Sequence, residues 1–329
     1  MLNDKIILVT GGTGSFGRRF IKTIFARYKL KKVIVFSRDE FKQYQMQKEF
    51  PRGKYPIRYF LGDVRDRSRL FRAFEGVDYV VHAAALKQVP ALEYNPIEAV
   101  KTNIDGADNI VNAAIDAEVK KVVALSTDKA VNPVNLYGAT KLVAEKIFIA
   151  ANAYAGRRVK FSVVRYGNVV GSRGSVVPLF LKMQKEGVKE FPITDVRMTR
   201  FWMTLDEAVD LVLKALENLA GEEIFVPKIP SMNITDLVKA IDPKSTIKTI
   251  GIRSGEKLHE TLISVDEARK AKIFNDMYVI LPQFFEGKEV HDKYKKYPDL
   301  PEGFIYKSDE NDVRLTIDKL QTMIDEFRV

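Results

Sequence analysis

The stretch that decides the fold is Thr10-Gly11-Gly12-Thr13-Gly14-Ser15-Phe16-Gly17. It joins a short apolar run, Lys5 to Val9, to a segment from Phe16 to Tyr28 that has helical periodicity. Glycine suits such a turn because the chain bends sharply and its backbone must approach a pyrophosphate, which then meets free N–H groups at the helix N-terminus. The stretch therefore predicts a dinucleotide site. The alternative is a tight strand-to-helix turn without a ligand.

Strand-like and helix-like segments alternate through the first half of the chain. Five more apolar runs have the length of a strand: Val33 to Phe36, Ile57 to Leu61, Tyr79 to His82, Val122 to Leu125 and Phe161 to Arg165. Helical patterns separate several of them, including Pro96 to Ala117 and Tyr137 to about Tyr154. This alternation predicts an α/β protein, a Rossmann-type doubly wound parallel sheet covered on both faces.

From Gly167 onward, glycines and prolines divide the chain into short elements. We predict a dinucleotide-binding domain over 1–167 and a smaller substrate-binding lobe over 168–329. One helix, 205–219, is expected to pack back on the first domain. The stretch from Pro282 to Pro301 shows no clear period.

Composition limits the possible classes of function. The 329 residues are 46% hydrophobic, enough for one large core or two unequal lobes. Cysteine is absent and the three histidines are scattered, so we expect no disulfide and no metal site. No signal peptide and no apolar stretch of about 18 residues is visible, which predicts a cytoplasmic protein that does not span a membrane.

The net charge of +10 raises the question of nucleic acid. The basic residues are spread along the chain, and no nucleic-acid motif accompanies them, so we expect no such partner. A pocket for two phosphorylated ligands also uses several cations.

The ends of the second and third predicted strands bear on the choice of dinucleotide. Ser37, Arg38 and Asp39 end the second strand, and Lys42 follows. An acidic residue there binds the ribose 2′-hydroxyl of NAD, whereas arginine binds the 2′-phosphate of NADP. The charges favour NADP, with NAD and a solvated Arg38 left open. Asp63, followed by Val64, accepts from the adenine amino group or caps the next helix.

Tyr137 and Lys141 share one helix face, one turn apart. With Thr127 they give the Ser/Thr–Tyr–Lys set expected for hydride transfer to a nicotinamide. We expect the Lys141 ammonium to lower the pKa of the Tyr137 phenol, so that the phenol accepts a proton from a substrate hydroxyl. The alternative is an ordinary pair on a helix surface.

Asp128 and Lys129 follow the apolar run Val122 to Leu125, so they lie at the carboxyl end of a predicted strand. An acid and an amine beside the same pocket suit the movement of a proton and a water. The alternative is a salt-bridged turn after a strand.

Longer motifs carry a family resemblance. They are Gly62 to Asp66, His82 to Lys87, Thr102-Asn103, Ser126 to Lys129, Asn135 to Lys141, Arg165 to Ser175, Met198 to Trp202 and Gly251 to Glu260. They resemble the extended short-chain dehydrogenase/reductases and, more narrowly, the inverting UDP-N-acetylglucosamine 4,6-dehydratases of the PseB type, which open pseudaminic acid synthesis. The likeness covers about residues 5 to 265.

The resemblance implies a redox-neutral reaction with NADP kept bound. Tyr137, assisted by Lys141, would take the 4-hydroxyl proton while hydride passes from C4 to NADP⁺. Lys129 would then remove the C5 proton and Asp128 would protonate the departing 6-hydroxyl. Hydride returns to C6, and C5 is reprotonated with inversion. The pKa of Lys129 must therefore fall from about 10.4, and Lys87, Lys141 and the nicotinamide are expected to lower it. Retaining relatives carry Glu in place of Lys129.

Binding residues follow from the same motifs. The cofactor contacts are expected at Gly11, Thr13, Gly14, Ser15, Phe16, Gly17, Ser37, Arg38, Asp39, Lys42, Asp63, Val64, Ala83, Ala84, Ala85, Lys87, Tyr137 and Lys141. Substrate contacts are expected at Lys87, Asn168, Val169, Arg173, Thr194, Arg200 and Arg253, several of which are otherwise plain solvated residues. Relatives pair through helices near 97–117 and 137–154, which implies a homo-oligomer, at least a dimer.

Three rival functions remain open. A UDP-hexose 4-epimerase uses the same Tyr–Lys oxidation without loss of water, and Asp128 and Lys129 argue against it. A retaining dehydratase differs in configuration at C5. A regulatory NADP-binding protein without turnover would be expected to lack Tyr137 or Lys141.

Overall fold

The structure, a computed structural model, describes residues 1–156, 158–282 and 287–327. Its strands are β1 Ile6–Thr10, β2 Lys32–Ser37, β3 Ile57–Leu61, β4 Tyr79–His82, β5 Lys121–Leu125, β6 Lys160–Val164, β7 Asn168–Val169, β8 Glu190–Ile193, β9 Thr199–Met203, β10 Ile224–Pro227, β11 Ser231–Asn233, β12 Thr246–Thr249, β13 Thr261–Ile263, β14 Ala271–Phe274, β15 Met277–Ile280 and β16 Tyr306–Lys307.

The α-helices are α1 Ser15–Arg27, α2 Glu40–Glu49, α3 Arg67–Phe74, α4 Val89–Tyr94, α5 Pro96–Ala99, α6 Gly106–Asp116, α7 Leu136–Tyr154, α8 Val176–Lys185, α9 Leu205–Asn218, α10 Ile234–Ile241, α11 Val265–Ala268, α12 Lys288–Tyr294 and α13 Ile317–Asp325. A π-helical stretch, Val100–Asp105, joins α5 to α6, and a 3₁₀ turn, Asp128–Ala130, follows β5. No helix in the described part of the chain is both long and apolar enough to cross a membrane.

The described residues form a large sheet in the order β14-β15-β10-β6-β5-β4-β1-β2-β3. In this order, every neighbouring pair from β10 to β3 is parallel. Strand β15 pairs with β10 in antiparallel fashion, and β14 pairs with β15 in the same way. The strand order reverses direction between β1 and β4. In doubly wound sheets the crevice outside the carboxyl ends of the strands at such a reversal holds the ligand.

Helices cover both faces of this sheet. On one face the core contains buried residues of α3, α6 and α7, and on the other it contains those of α1, α2, α9 and α12. The predicted Rossmann-type α/β fold is therefore confirmed.

Some elements of the second half of the chain belong to the large sheet and its covering helices, and others belong to a separate core. Strands β10, β14 and β15 extend the large sheet, and α9 packs on α1, where Arg19 Nε lies 2.7 Å from Asp206 Oδ1. Other elements, including α8, α10 and α13, enclose a separate apolar core that contains Trp202. After α13, the Phe327 ring packs closely on Gly171. A Cβ on Gly171 would lie 2.1 Å from that ring. The boundary at residue 167 stays a prediction.

The predicted elements of the first half match the structure closely. The six predicted strands agree with β1 to β6 to within a residue or so at each end. The helix expected over Pro96 to Ala117 contains the π-helical stretch, which the sequence did not indicate. In the stretch from Pro282 to Pro301, α12 was not foreseen, and residues 283–286 lie outside the described residues.

Candidate active site

The glycine turn after β1 is built for close backbone contact. Gly11 has a φ of +63°, and a Cβ on it would lie 2.9 Å from the backbone of Ala83 and Ala84. A Cβ on Gly17 would lie 2.5 Å from Gly12 Cα. Gly14 is the N-cap of α1 and offers no capping side chain. The N–H groups of the first helical turn are thus left for an anion, which fits a bound pyrophosphate.

The two charged residues directly after β2, Arg38 and Asp39, differ in how far other residues of the protein already bind them. Asp39 caps α2 by accepting from Lys42 N at 2.9 Å, and its carboxylate also lies 2.7 Å from Lys42 Nζ. Arg38 is half exposed, and its guanidinium lies 3.7 Å from Asp63. The carboxylate of Asp39 is therefore already engaged, while Arg38 keeps most of its donors for a ligand.

The carboxylate of Asp63 binds the side chain of Arg65 and does not cap a helix. Its Oδ2 accepts from Arg65 Nη2 at 2.9 Å. Burial raises the pKa of Asp63, but the hydrogen bonds from Arg65 outweigh it and leave the pKa below its ordinary value. The alternative that Asp63 caps α3 is wrong, because the cap is Asp66, which accepts from Arg69 N at 2.9 Å.

One cleft of about 1330 Å³ brings the predicted site residues together. All of the residues predicted to bind cofactor or substrate line it, as do Thr127, Lys129, Tyr137 and Lys141. Asp128 is the exception among the predicted residues, because it lies fully buried behind the wall. The cleft is larger than the roughly 300–1,000 Å³ typical of one small ligand. It therefore has room for a dinucleotide and a second ligand.

The turn after β5 places Asp128 and Lys129 against the start of α7. Asp128 Oδ1 accepts from Thr127 Oγ1 at 2.8 Å and from Lys129 Nζ at 3.0 Å. A Cβ on Gly138 would lie 2.1 Å from the Lys129 carbonyl oxygen, so only glycine allows this approach. The close contact holds Lys129 next to the helix that carries Tyr137.

A second carboxylate, Glu260, was not among the predicted site residues. Its Oε1 lies 3.3 Å from Lys129 Nζ and 3.7 Å from Arg200 Nε, and the residue is 2% exposed. Glu260 ends one of the motifs that carry the resemblance. Sequence alone gave it no role, because it meets Lys129 only through the tertiary fold.

The two carboxylates set the charge of the lysine. Burial by itself lowers the pKa of Lys129, but Asp128 and Glu260 outweigh it and raise that pKa above its ordinary value. The expectation that the Lys129 pKa falls is therefore wrong. Burial also raises the pKa of Asp128, and Glu260 adds to that rise while Lys129 opposes it. Burial thus disfavours the carboxylate form of Asp128, while the two carboxylates favour the charged form of Lys129.

Tyr137 and Lys141 are also governed by burial. Lys141 Nζ donates to the Leu125 carbonyl oxygen at 2.7 Å, and burial lowers its pKa to about 8. Burial raises the pKa of Tyr137 to about 12, with Asp128 adding to the rise and Lys129 and Thr127 opposing it. The expected lowering of the Tyr137 pKa is therefore wrong for the protein alone.

The predicted substrate residues fall into two groups. Arg173 and Arg253 are exposed on loops at the cleft, and the Arg173 N–H donates to Ser15 Oγ at 3.2 Å, which ties its loop to the glycine turn. Arg200 instead donates to the carbonyl oxygens of Thr199 at 2.7 Å and Leu258 at 3.0 Å. Its guanidinium is therefore largely occupied by the protein.

The other residues predicted to bind substrate make fewer contacts within the protein. Asn168 and Val169 form β7, and Thr194 Oγ1 donates to Met198 Sδ at 3.0 Å. Burial and then the charge of Lys129 lower the pKa of Lys87. Over the ranges the structure describes, no three His, Cys, Asp or Glu residues come close enough to hold a metal ion.

Comparison with known proteins places this architecture in a family. Residues 7–282 match the model of the family described as "Polysaccharide biosynthesis protein". The chain is similar to an inverting UDP-N-acetylglucosamine 4,6-dehydratase of Campylobacter jejuni, with 53% identity over 317 residues that cover 94% of each chain. It is also 45% identical to a UDP-glucose 4-epimerase of Rickettsia massiliae, over 90% of this chain and 87% of that one.

Among solved structures, the X-ray structure of Pen from Bacillus thuringiensis is 39% identical and superimposes with a TM-score of 0.90 over 100% of both chains. The family match spans most of the residues that line the cleft. The chain therefore belongs to the polysaccharide biosynthesis protein family.

Proposed function

We propose that this protein is an inverting UDP-N-acetylglucosamine 4,6-dehydratase that works with bound NADP. The observation that carries the proposal is the 3.0 Å contact of Lys129 Nζ with Asp128, at the wall of a cleft that also presents Tyr137 and Lys141. The Campylobacter relative of the same name supports it. The product is UDP-2-acetamido-2,6-dideoxy-beta-L-arabino-hex-4-ulose, the first intermediate of pseudaminic acid-type synthesis.

The cofactor assignment rests on the glycine turn and on the charges after β2. When bound, an oxidised nicotinamide ring supplies a reversible hydride acceptor and brings a positive charge into the cleft. Gly11 and Gly17 let the turn pack directly against the backbone of Ala83, Ala84 and Gly12, which keeps the N-terminus of α1 close to β1 for the pyrophosphate. Asp39 already caps α2 and pairs with Lys42, so Arg38 remains to hold a 2′-phosphate. This arrangement favours NADP over NAD.

Tyr137 is the group that takes the 4-hydroxyl proton. Its pKa of about 12 must fall for this role, and any positive charge next to the phenol lowers it. Lys141, whose pKa is about 8, stands one helical turn away and is held by the Leu125 carbonyl. Thr127 completes the set at the wall of the cleft.

Lys129 and Asp128 perform the loss of water as one unit. In the resting ion pair the lysine is charged and cannot act as a base. A single proton shift along their 3.0 Å contact gives a neutral amine and a protonated carboxyl. Burial disfavours the Asp128 carboxylate and so favours that shift, whereas the raised pKa of Lys129 opposes it. The amine then takes the C5 proton, and the carboxyl protonates the leaving 6-hydroxyl.

Deuterated water tests the proposal most directly. UDP-N-acetylglucosamine is incubated with the purified protein in deuterium oxide and followed by NMR and mass spectrometry. We expect a product that has lost one water, carries solvent deuterium at C5 with inverted configuration, and has the former C4 hydrogen at C6. A product of unchanged mass would instead identify a 4-epimerase, and retained configuration at C5 would identify the retaining reaction.

We also propose that the protein works as a homo-oligomer. Ile97, Val143 and Tyr154 leave 61%, 40% and 60% of their surface exposed on the helices through which relatives pair. An interface through these helices would remove such exposed apolar side chains from water. Light scattering on the purified protein is expected to give at least the mass of a dimer, and Ile97→Asp to lower it to that of a monomer.

A further inference from the structure

We propose that Glu260 is a positioning residue that sets the geometry and the shared protonation of the Lys129–Asp128 pair. This inference rests on the proposed dehydratase function for its chemistry, although its electrostatic part can be measured without turnover.

The backbone of Glu260 is fixed from both sides. Its N–H donates to Ser308 Oγ at 2.9 Å, and the Ser308 N–H donates to the Glu260 carbonyl oxygen at 2.8 Å. The residue directly precedes β13, which pairs with β16. The backbone of Glu260 is therefore held in place, with its carboxylate beside Lys129.

The carboxylate of Glu260 reaches the lysine with one oxygen only. Oε1 lies 3.3 Å from Lys129 Nζ, whereas Oε2 is buried and has no hydrogen-bond partner among the described residues. A buried carboxylate oxygen without a partner is costly and rare in a folded protein. Such an atom at the wall of a ligand cleft indicates a working group rather than a purely structural one.

The charges around the pair come from several elements. Glu260 faces the cations Lys129, Arg200 and Lys257, and Lys257 Nζ also donates to the Val131 carbonyl oxygen at 2.5 Å. Lys129 is in turn faced by Asp128, Glu260 and Arg200, and its own charge acts on Lys87 and Tyr137.

The contacts of the Lys129 amine with two carboxylates, Asp128 and Glu260, affect the step in which water is lost. In this step the C5–H bond breaks and its proton passes to Lys129 Nζ. The C6–O bond breaks as the Asp128 proton passes to the leaving oxygen, and a C5–C6 double bond forms. The step ends with a lysine cation between two carboxylates. Glu260 stabilises this end state and, by repulsion, favours the protonated form of Asp128 before it.

The isosteric variant Glu260→Gln tests this idea. We expect kcat for water loss to fall on the order of 10- to 100-fold with KM changed less than about threefold, since the charge acts on the reacting state. The basic limb of the pH–rate profile should move to lower pH, because Asp128 loses the neighbour that favours its protonated form. Glu260→Asp keeps the charge and should restore the position of that limb. Glu190→Gln, at an exposed carboxylate, should change neither quantity.

A second measurement does not need the reaction. Acetic anhydride acetylates neutral amines, so labelling of Lys129 at several pH values, read by peptide mass spectrometry, reports its pKa. In Glu260→Gln this pKa should fall, and labelling of Lys129 relative to exposed Lys22 should rise at a given pH.

The outcomes separate the two proposals. If the wild-type protein releases no water but the variant still shifts the labelling of Lys129, the proposed function fails and the charge coupling stands. If Glu260→Gln leaves both the labelling of Lys129 and the basic limb where they are, the inference about Glu260 is overturned, whatever the protein catalyses.

Discussion

Lys141 is a buried cation that weakens the fold near neutral pH. Its pKa falls from 10.5 to about 8 on folding, because the charged form is removed from water. The unfolded chain therefore binds more protons between these two values, and stability rises with pH across that window. The shift corresponds to a penalty of about 3 kcal/mol, present in full below pH 8.

We therefore expect Lys141→Met to stabilise the protein at pH 7 while it abolishes turnover. The loss of the hydrogen bond to Leu125 removes about 1 kcal/mol of the gain, so a net increase of about 2 kcal/mol remains. At pH 9.5 the two proteins should be almost equally stable. Urea unfolding at both pH values measures this, with exposed Lys22→Met as the control. A gain that grows with pH would contradict the burial argument.

Arg38 is expected to decide between the two dinucleotides. The Arg38→Ala variant should weaken binding of NADP on the order of 10- to 100-fold, because it removes charge-assisted bonds to the 2′-phosphate. Binding of NAD should change less than about threefold. Isothermal titration of both dinucleotides measures this. An equal loss for both would show that Arg38 holds some other part of the cofactor.

The motifs that contain these residues are local, whereas the ionisation of the residues depends on the whole fold. Tyr137, Lys141 and Lys129 stand in local motifs that any reading of the chain finds. The signs of their pKa shifts depend on Glu260 and on burial, which only the folded chain brings to them. The expected lowering of the Lys129 and Tyr137 pKa values is therefore wrong, although both residues line the cleft.

At the scale of elements, the contact between α7 and the 3₁₀ turn holds Lys129 and Tyr137 in register. A Cβ on Gly138 would lie 2.1 Å from the Lys129 carbonyl oxygen, so Gly138→Ala must push the turn away. We expect stability to fall by about 2 to 3 kcal/mol. Turnover should fall on the order of 100-fold or more, since small misplacements of reacting groups are that costly.

Urea unfolding and kcat measured on the same preparations test this prediction. Gly53→Ala is the matched control, because a Cβ there would meet nothing within 4 Å. A Gly138→Ala variant that loses stability but keeps full turnover would show that the register of turn and helix is not needed for activity.

Elements were predicted well where apolar runs are bounded by polar residues or turns, as in Ile57–Leu61 and Tyr79–His82. The π-helical stretch Val100–Asp105 was missed, because an apolar period does not distinguish it from α-helix. The short strands β10 and β15 were also missed. Runs of four residues carry little periodic signal, and only their pairing makes them strands.

For the whole molecule, Arg165 is the buried junction between the two halves of the chain. It lies fully buried at the end of β6, 2.6 Å from Glu145 on α7 and 2.9 Å from Glu267 on α11. Arg165→Met would leave both carboxylates without their cation, and we expect a loss of about 3 to 5 kcal/mol.

Thermal and urea unfolding measure this loss. The control is Arg269→Met, which breaks an exposed ion pair with Asp266 and should cost no more than about 1 kcal/mol. Similar losses for the two variants would mean that the buried pairs contribute no more than a surface contact.

Strand β10 has one more consequence. It pairs with the edge of β6 that faces away from β5. That edge consists of backbone hydrogen-bonding groups next to apolar Val163 and Val164. A fragment that ends at residue 167 leaves this margin bare, a template on which further copies can add. Expressed alone, the fragment should accumulate in inclusion bodies, whereas one extended through Ile280 should remain dispersed.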